Sequence, residues 1–568
     1  MKKTIVIFSV VVLGALYASS QSIQDARKLT ENEQYEESSA MYKQLIAAKP
    51  TDANLYYFFG DNLLSDENAD SARIVFEKGK TIDPNNALLK IGTAKLLMDA
   101  INVREAKAAL DKDGNNPELK NRNEDASANV ATAGKLLDEA VTQAPPKDPS
   151  ILIEVAKAYI NYENKNLEKA KLLLEKANAI DPKNIEVNLL YGDIYGGLSN
   201  GTLAAEYYNK AQELDPKSAR AIVSKGRLYF KSTNYDSAAE EFERAIKLDP
   251  AYAPAYSALA QAYLKQGKLE KAKEASRKFL SLSKNNCSAR IFHASLLYAS
   301  KSFQEALDEL ALVSQRCDSN NLKMLRIQAY SNYEAEKYTE GIEVMEHLFR
   351  IVSMENRDKK DFEYYGKLLI KTDKDSLGIE QLQKAFALEP TRADLLSEIA
   401  AAWYKLKVYE NAILFYKQKM ALGKEIKLID HYNLGRSYYF NKQYFEADSA
   451  YAKATELSPN WASAWLSRAD ANTQIDSTSA MGLAKPCFEK YIVIAEADSA
   501  NPSKYNSGLS KAYGYLAYYY ILKKDNPNAL MYLKKKQLLV LDPEEKKSVD
   551  TGIDQILNPQ KYQKGNKK

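Results

Sequence analysis

Small and apolar residues recur along this chain in blocks of 34, and inside each block their spacing is helical. The pattern is plainest between Ile185 and Pro250, where one block is written twice. Its first copy carries Tyr191-Gly192, Tyr195, Ala204, Tyr208, Ala211 and Pro216. Its second carries Gly226, Tyr229, Ala238, Phe242, Ala245 and Pro250. Gly226 and Tyr229 stand three apart, on one face of a first helix; Ala238, Phe242 and Ala245 stand four and three apart, on one face of a second. Ser232-Thr233-Asn234 predicts the turn between them, with Asp236 or Ser237 as the cap of the second helix. Asp249-Pro250 ends it, because proline lacks an N–H and disfavours helical geometry in the residue before it. Gly226 and Ala238 are small so that the helices can approach where they cross; Tyr229 and Phe242 fill the space beside the crossing. One such hairpin cannot bury its apolar face alone, whereas stacked copies can.

These residues are the signature of the tetratricopeptide repeat, and the chain resembles that family over nearly all its length. The resemblance implies an all-α, right-handed superhelical solenoid of about fourteen hairpins. Residues 21–145 hold three units, the third split by roughly 27 extra residues against the 34-residue period. That insertion, near 100–130, is rich in Asn, Asp, Lys and Glu, which predicts a solvated loop or a helix extension. Residues 149–286 are a regular array, 287–358 two degenerate units without the closing proline, 359–461 regular again, and 462–545 units with longer turns. Residues 546–568 read as the capping helix and a basic tail; the helical stripe Val549, Ile553 and Leu557 is expected to cover the open end.

Composition narrows the function. A formal net charge of +4 is no nucleic-acid footprint. Lys2-Lys3, an apolar run from Ile5 to Leu16 and Ala18-Ser19-Ser20 form the pattern of a cleavable signal peptide over residues 1–20. The run is short of the about 20 residues a membrane span needs, and no later segment could cross a bilayer. The expected location is periplasmic, with secretion or outer-membrane association as further options.

Little points to catalysis, a cofactor or a metal. The three histidines, His293, His347 and His431, fall in three different units, with no metal-ligand spacing. Phosphate-loop and nucleophile-elbow motifs are absent from the sequence. Cys287 opens the first helix of the eighth unit and Cys317 follows its second. In an antiparallel hairpin these ends are neighbours, so the two form a disulfide or stand as free thiols. Cys487 reads as a buried small hydrophobe.

The family resemblance also implies where a partner lies. First helices line the concave groove of such solenoids, and carried over position by position this places there Arg227, Phe230, Lys231, Lys265, Arg326, Tyr330, Tyr333, Lys367, Lys371, Tyr404, Lys405, Tyr432, Arg436 and Tyr439. Tyrosine and arginine are typical binding anchors. The Lys-plus-Asn pairing of the family's carboxylate clamp is absent from these positions. The expectation is a non-catalytic scaffold that takes an acidic or aromatic-bearing segment of another exported protein. The alternative is a structural subunit of an envelope secretion or outer-membrane biogenesis assembly. Asp-Ser-Ala recurs at 70–72, 236–238, 448–450 and 498–500; it resembles an O-glycosylation acceptor of some exported proteins and also suits a helix cap.

Overall fold

The structure, a computed structural model, describes residues 22–98, 117–161, 166–284, 286–314, 319–498 and 502–562. The expected signal peptide, Cys317 and residues 99–116 of the insertion lie outside the described residues. Among the described residues the chain is helical without a strand, and it divides into two compact units, within 1–357 and 358–568. Among the described residues the first unit contains nine helical hairpins: 23–48, 53–82, 87–97 with 117–142, 150–180, 185–214, 219–248, 253–282, 287–314 and 322–351. The second contains five, 359–388, 393–422, 428–457, 462–497 and 506–537, followed by a closing helix Pro543–Leu557 and a last turn Pro559–Tyr562.

Each hairpin starts, turns and stops for reasons local to the chain. Asn68, Asn166, Asn200 and Asn234 cap second helices, each side-chain oxygen accepting from the amide three residues on. The cap expected at Asp236 or Ser237 is therefore Asn234, and Ser237 supplies the amide it accepts from, at 3.2 Å. Asp236 instead accepts from Gln266 Nε2 at 2.9 Å. The first Asp-Ser-Ala triplet behaves alike, with Asn68 as its cap. Stops repeat too. Asp83, Asp181, Asp215 and Asp249 are extended, as a following proline requires, and each carboxylate accepts from the amide two residues on. Between the helices one residue adopts a left-handed conformation: Glu33, Glu67, Ser199, Thr233, Gly267 and Lys301 in the first unit, Asp373, Lys407 and Lys442 in the second. Only one of these nine is glycine.

The crossings are close. Gly60, Gly192 and Gly435 each face the ring sixteen residues later (Phe76, Tyr208 and Tyr451), and a methyl group there would come within 2.2, 2.3 and 2.6 Å of a ring carbon. First helices form an inner layer. In the first unit Ile185–Gly197 touches Ala219–Lys231, which touches Ala253–Lys265, so each packs on its hairpin partner and on the neighbouring first helices.

Two expectations change in detail. The insertion, where described, is a helix extension: Pro117–Thr142 is one helix of 26 residues against an 11-residue partner, Ala87–Leu97. At the C-terminus Val549 is buried against Ala517 and Leu533, with Ile553 and Ile556 beside it, while Leu557 is 55% exposed. The stripe that covers the last hairpin therefore ends at Ile556.

Candidate functional site

Within the first unit the inner helices surround a polar chamber of about 510 Å³. Its walls carry a ladder of alternating charge. Asp61 Oδ1 lies 2.6 Å from Lys95 Nζ, which lies 3.7 Å from Glu154 Oε2. Glu154 Oε1 lies 3.2 Å from Lys157 Nζ, and Lys157 lies 3.0 Å from Glu186 Oε1. Arg220 Nη1 closes the run at 2.7 Å from Glu186 Oε2. The Tyr57 hydroxyl donates to Glu154 Oε2 at 2.8 Å and accepts from Lys95 Nζ at 3.1 Å.

The ladder keeps its charges although it is buried. Burial pushes the Glu154 carboxyl up, but Lys157, Lys95 and Arg27 together hold it well below the usual carboxylate range. Glu186 is likewise raised by burial and pulled further down by Lys157 and Arg220, to about 2. Lys95 and Lys157 lose by desolvation and gain more from their carboxylates, so both stay protonated above the usual lysine range. The lining also includes Glu33, Tyr35, Arg227 and Tyr252. Burial raises the Glu33 carboxyl, and Arg227 opposes the rise.

Arg227 is the one residue of the expected groove set among the chamber's lining residues. In the same unit Phe230 is half-buried, its ring edge-on to Tyr235 at 5.2 Å, and Lys231 Nζ donates to the Gly196 carbonyl at 2.7 Å. Lys265 is exposed. Arg326 Nη2 donates to the Asn356 carbonyl at 3.4 Å. Tyr330 is buried against Tyr298, and Tyr333 rests half-buried on Tyr338.

In the second unit the expected residues form a more open surface. The Arg436 guanidinium lies 4.7 Å over the Tyr404 ring, which meets Tyr409 and Phe440 edge-on at 5.6 and 5.9 Å. Tyr439 meets Tyr444, and Tyr432 packs on Trp461 at 4.5 Å while its hydroxyl bonds Ser467. Phe440, which sequence reasoning left out, is 49% exposed at the centre of this cluster. Lys367 and Lys405 are engaged by the chain itself: Lys367 by Glu363 and Glu398 at 2.7 and 3.2 Å, Lys405 by Asp373 and Asp375 at 2.7 and 3.1 Å. Lys371 is exposed.

The ladder was within reach of the sequence. Asp61, Lys95, Lys157 and Arg227 each follow the small crossing residue of their first helix, and Glu186 and Arg220 are both second in theirs. Charges that recur at these two repeat positions are the signal.

The remaining candidates for chemistry lie apart. His293 is buried with Nδ1 2.8 Å from Ser276 Oγ, and His347 Nε2 is 3.0 Å from Asn320 Oδ1. His431 is half-buried. Among the described residues no group of three His, Cys, Asp or Glu could hold a metal ion, and no helix is long and apolar enough to cross a membrane. Cys287 is disulfide-bonded; Cys317, the expected other half, lies outside the described residues. Cys487 is free and buried, its thiol pushed up to about 11 by burial.

Comparison with known proteins gives matches at the repeats. Residues 226–267 match the family described as TPR repeat, and residues 185–218, 253–286 and 431–460 match the tetratricopeptide repeat. Among solved structures, the C-terminal part of a TPR repeat-containing protein from Cytophaga hutchinsonii is 32% identical, over 46% of this chain and 99% of that one, with a TM-score of 0.41. Pseudomonas aeruginosa PilF is 24% identical, over 37% of this chain and 94% of that one, at 0.31. A tetratricopeptide repeat protein from Parabacteroides merdae is 13% identical, over 47% and 99%, at 0.32. No curated protein matches the chain.

Proposed function

The chain belongs to the tetratricopeptide repeat family, and from that premise we propose that it is a non-catalytic scaffold of the cell envelope. Its partner is an extended, acidic or aromatic-bearing segment of another exported protein, held on the inner face of the second unit. Repeats of this kind serve protein interaction in general.

One observation carries the reading. Tyr404, Phe440 and Arg436 form a half-exposed cluster whose rings and guanidinium already lock one another. Aromatic and arginine anchors that are held before binding lose little rotamer freedom when a partner arrives. Among the described residues Arg436 has no carboxylate partner, unlike Lys367 and Lys405, so its charge can meet an acidic group. The N-terminal Lys2-Lys3 and apolar run support export.

Photo-crosslinkers at Phe440 and Tyr439 in intact cells test this. A partner captured at these positions and lost in Arg436→Glu supports the reading; capture unaffected by Arg436→Glu overturns it. The second reading, a fixed subunit of an envelope assembly, draws on Leu538 and Leu541. They are 84% and 93% exposed beside the last hairpin, as apolar residues at a permanent contact are when the partner is away. Crosslinks concentrated there would favour it.

A further inference from the structure

The first hairpin and the seventh meet. Gln34 Nε2 donates to the Leu282 carbonyl at 3.3 Å across 248 positions of chain. Glu37 pairs with Lys284, and Lys28 Nζ stands 3.8 Å from Asp249 Oδ2, at the end of the sixth hairpin. The chamber lining brings Glu33 and Tyr35 of the first hairpin together with Arg227 of the sixth and Tyr252 at the start of the seventh. Hairpins one to seven thus make a closed turn, and the chamber is its interior.

This joint is unlike every other joint in the turn. Neighbouring hairpins are welded by apolar side chains. The first hairpin contributes Ala26, Tyr42 and Leu45 to an apolar cluster that runs on to Ile194 in the fifth. The seventh contributes Ala255, Leu259, Ala272 and Ala275 to a different cluster, which extends from Ala219 to Leu296. What joins the first hairpin to the sixth and seventh is polar and open to water on its cationic side: the Lys28 and Lys284 side chains are 70% and 57% exposed, their partners Asp249 and Glu37 25% and 27%. Exposed ion pairs are weak and are screened by salt, whereas apolar joints are not.

We propose that Gln34, Glu37 and Lys28 are one half of an electrostatic clasp. The closed turn of the first unit opens at this seam, with the apolar joints elsewhere staying intact. Arg227 is exposed with the clasp shut; when the clasp opens, Glu33, Tyr35 and Tyr252 beside it become accessible to a polypeptide segment.

The test is a distance measured in the full chain. Lys43 and Lys278 are exposed on the second helices of the two hairpins and can carry spin labels as Lys43→Cys and Lys278→Cys in a Cys487→Ala background. Raising salt from about 20 mM to about 500 mM, which shortens the screening length several-fold, should add a longer-distance population. Glu37→Lys should do so at low salt, and adding Lys284→Glu to it should restore the short distance. A distribution indifferent to salt overturns the proposal, and so does one that the exchanged pair fails to restore. The salt series in the otherwise native sequence stands even if Glu37→Lys unfolds the first hairpin.

Discussion

A methyl group on Gly226 would lie 2.5 Å from Cε1 of Phe242: the ring fills the space where a side chain would begin. The relationship joins the two helices of the sixth hairpin at their crossing. Gly226→Ala is expected to lower the unfolding free energy by about 1–3 kcal/mol, the usual cost of overpacking. Phe242→Leu in the same chain should return part of it, because the smaller side chain vacates the space. Denaturant midpoints of the two variants against the parent check this.

Thr233 has φ of 63°, in the left-handed region that a β-branched residue occupies at a cost. Gly267 holds the equivalent place one repeat on, at φ of 74°. Thr233→Gly should stabilise the chain by about 0.5–1 kcal/mol, the left-handed relief less the added freedom of the unfolded glycine. A loss of stability would show that the Thr233 side chain matters more than its backbone.

Glu154 touches Lys95, Lys157 and Arg27. Glu154→Gln leaves those cations short of one negative charge inside the chamber wall and should cost about 3 kcal/mol, the lower end for a broken buried pair, since Asp61 and Glu186 remain. Lys95→Met added to Glu154→Gln should recover much of it. Thermal unfolding of the single and double variants distinguishes this from a loss of packing alone.

Two acids give opposite pH dependences. Burial, with Glu67 and Glu36 nearby, pushes the Asp66 carboxyl from 3.8 up to about 6. The folded chain then binds that proton more readily than the unfolded one, so stability rises as pH falls from about 6 toward about 4. Glu186, held at about 2 against its ordinary 4.5, gives stability that is present above pH 4.5 and lost as pH falls toward about 2. Asp66→Asn should flatten the upper window only, and Glu186→Gln the lower only, in melting midpoints taken across pH 7 to 2.5.

The period made most of the fold legible. Glycine facing an aromatic, Asp-Pro stops and the turn near Thr233 all follow from residues within one block. Asn234 escaped as the cap because Asp236 and Ser237 are equally good caps by type, and only the path of the turn chooses among the three. One repeat rule assigns Tyr404, Tyr432, Arg436 and Tyr439 to one face, but it does not name the rings they meet, Tyr409, Phe440, Tyr444 and Trp461. What engages Lys367 was not. Glu363 lies on the same helix, but Glu398 comes from the next hairpin, and Asp373 reaches Lys405 from the hairpin before. Such pairs depend on the offset between stacked hairpins, which no single block encodes.

Because the first and seventh hairpins touch, the first unit counts its own modules. Splicing one additional 34-residue brick between the fifth and sixth hairpins would leave every stacking interface with a proper neighbour, yet would carry Leu282 and Lys284 past the reach of Gln34 and Glu37. The circumference of this turn is thus a fixed integer, and its tolerance for gained or lost repeats ends where the open stack's does not.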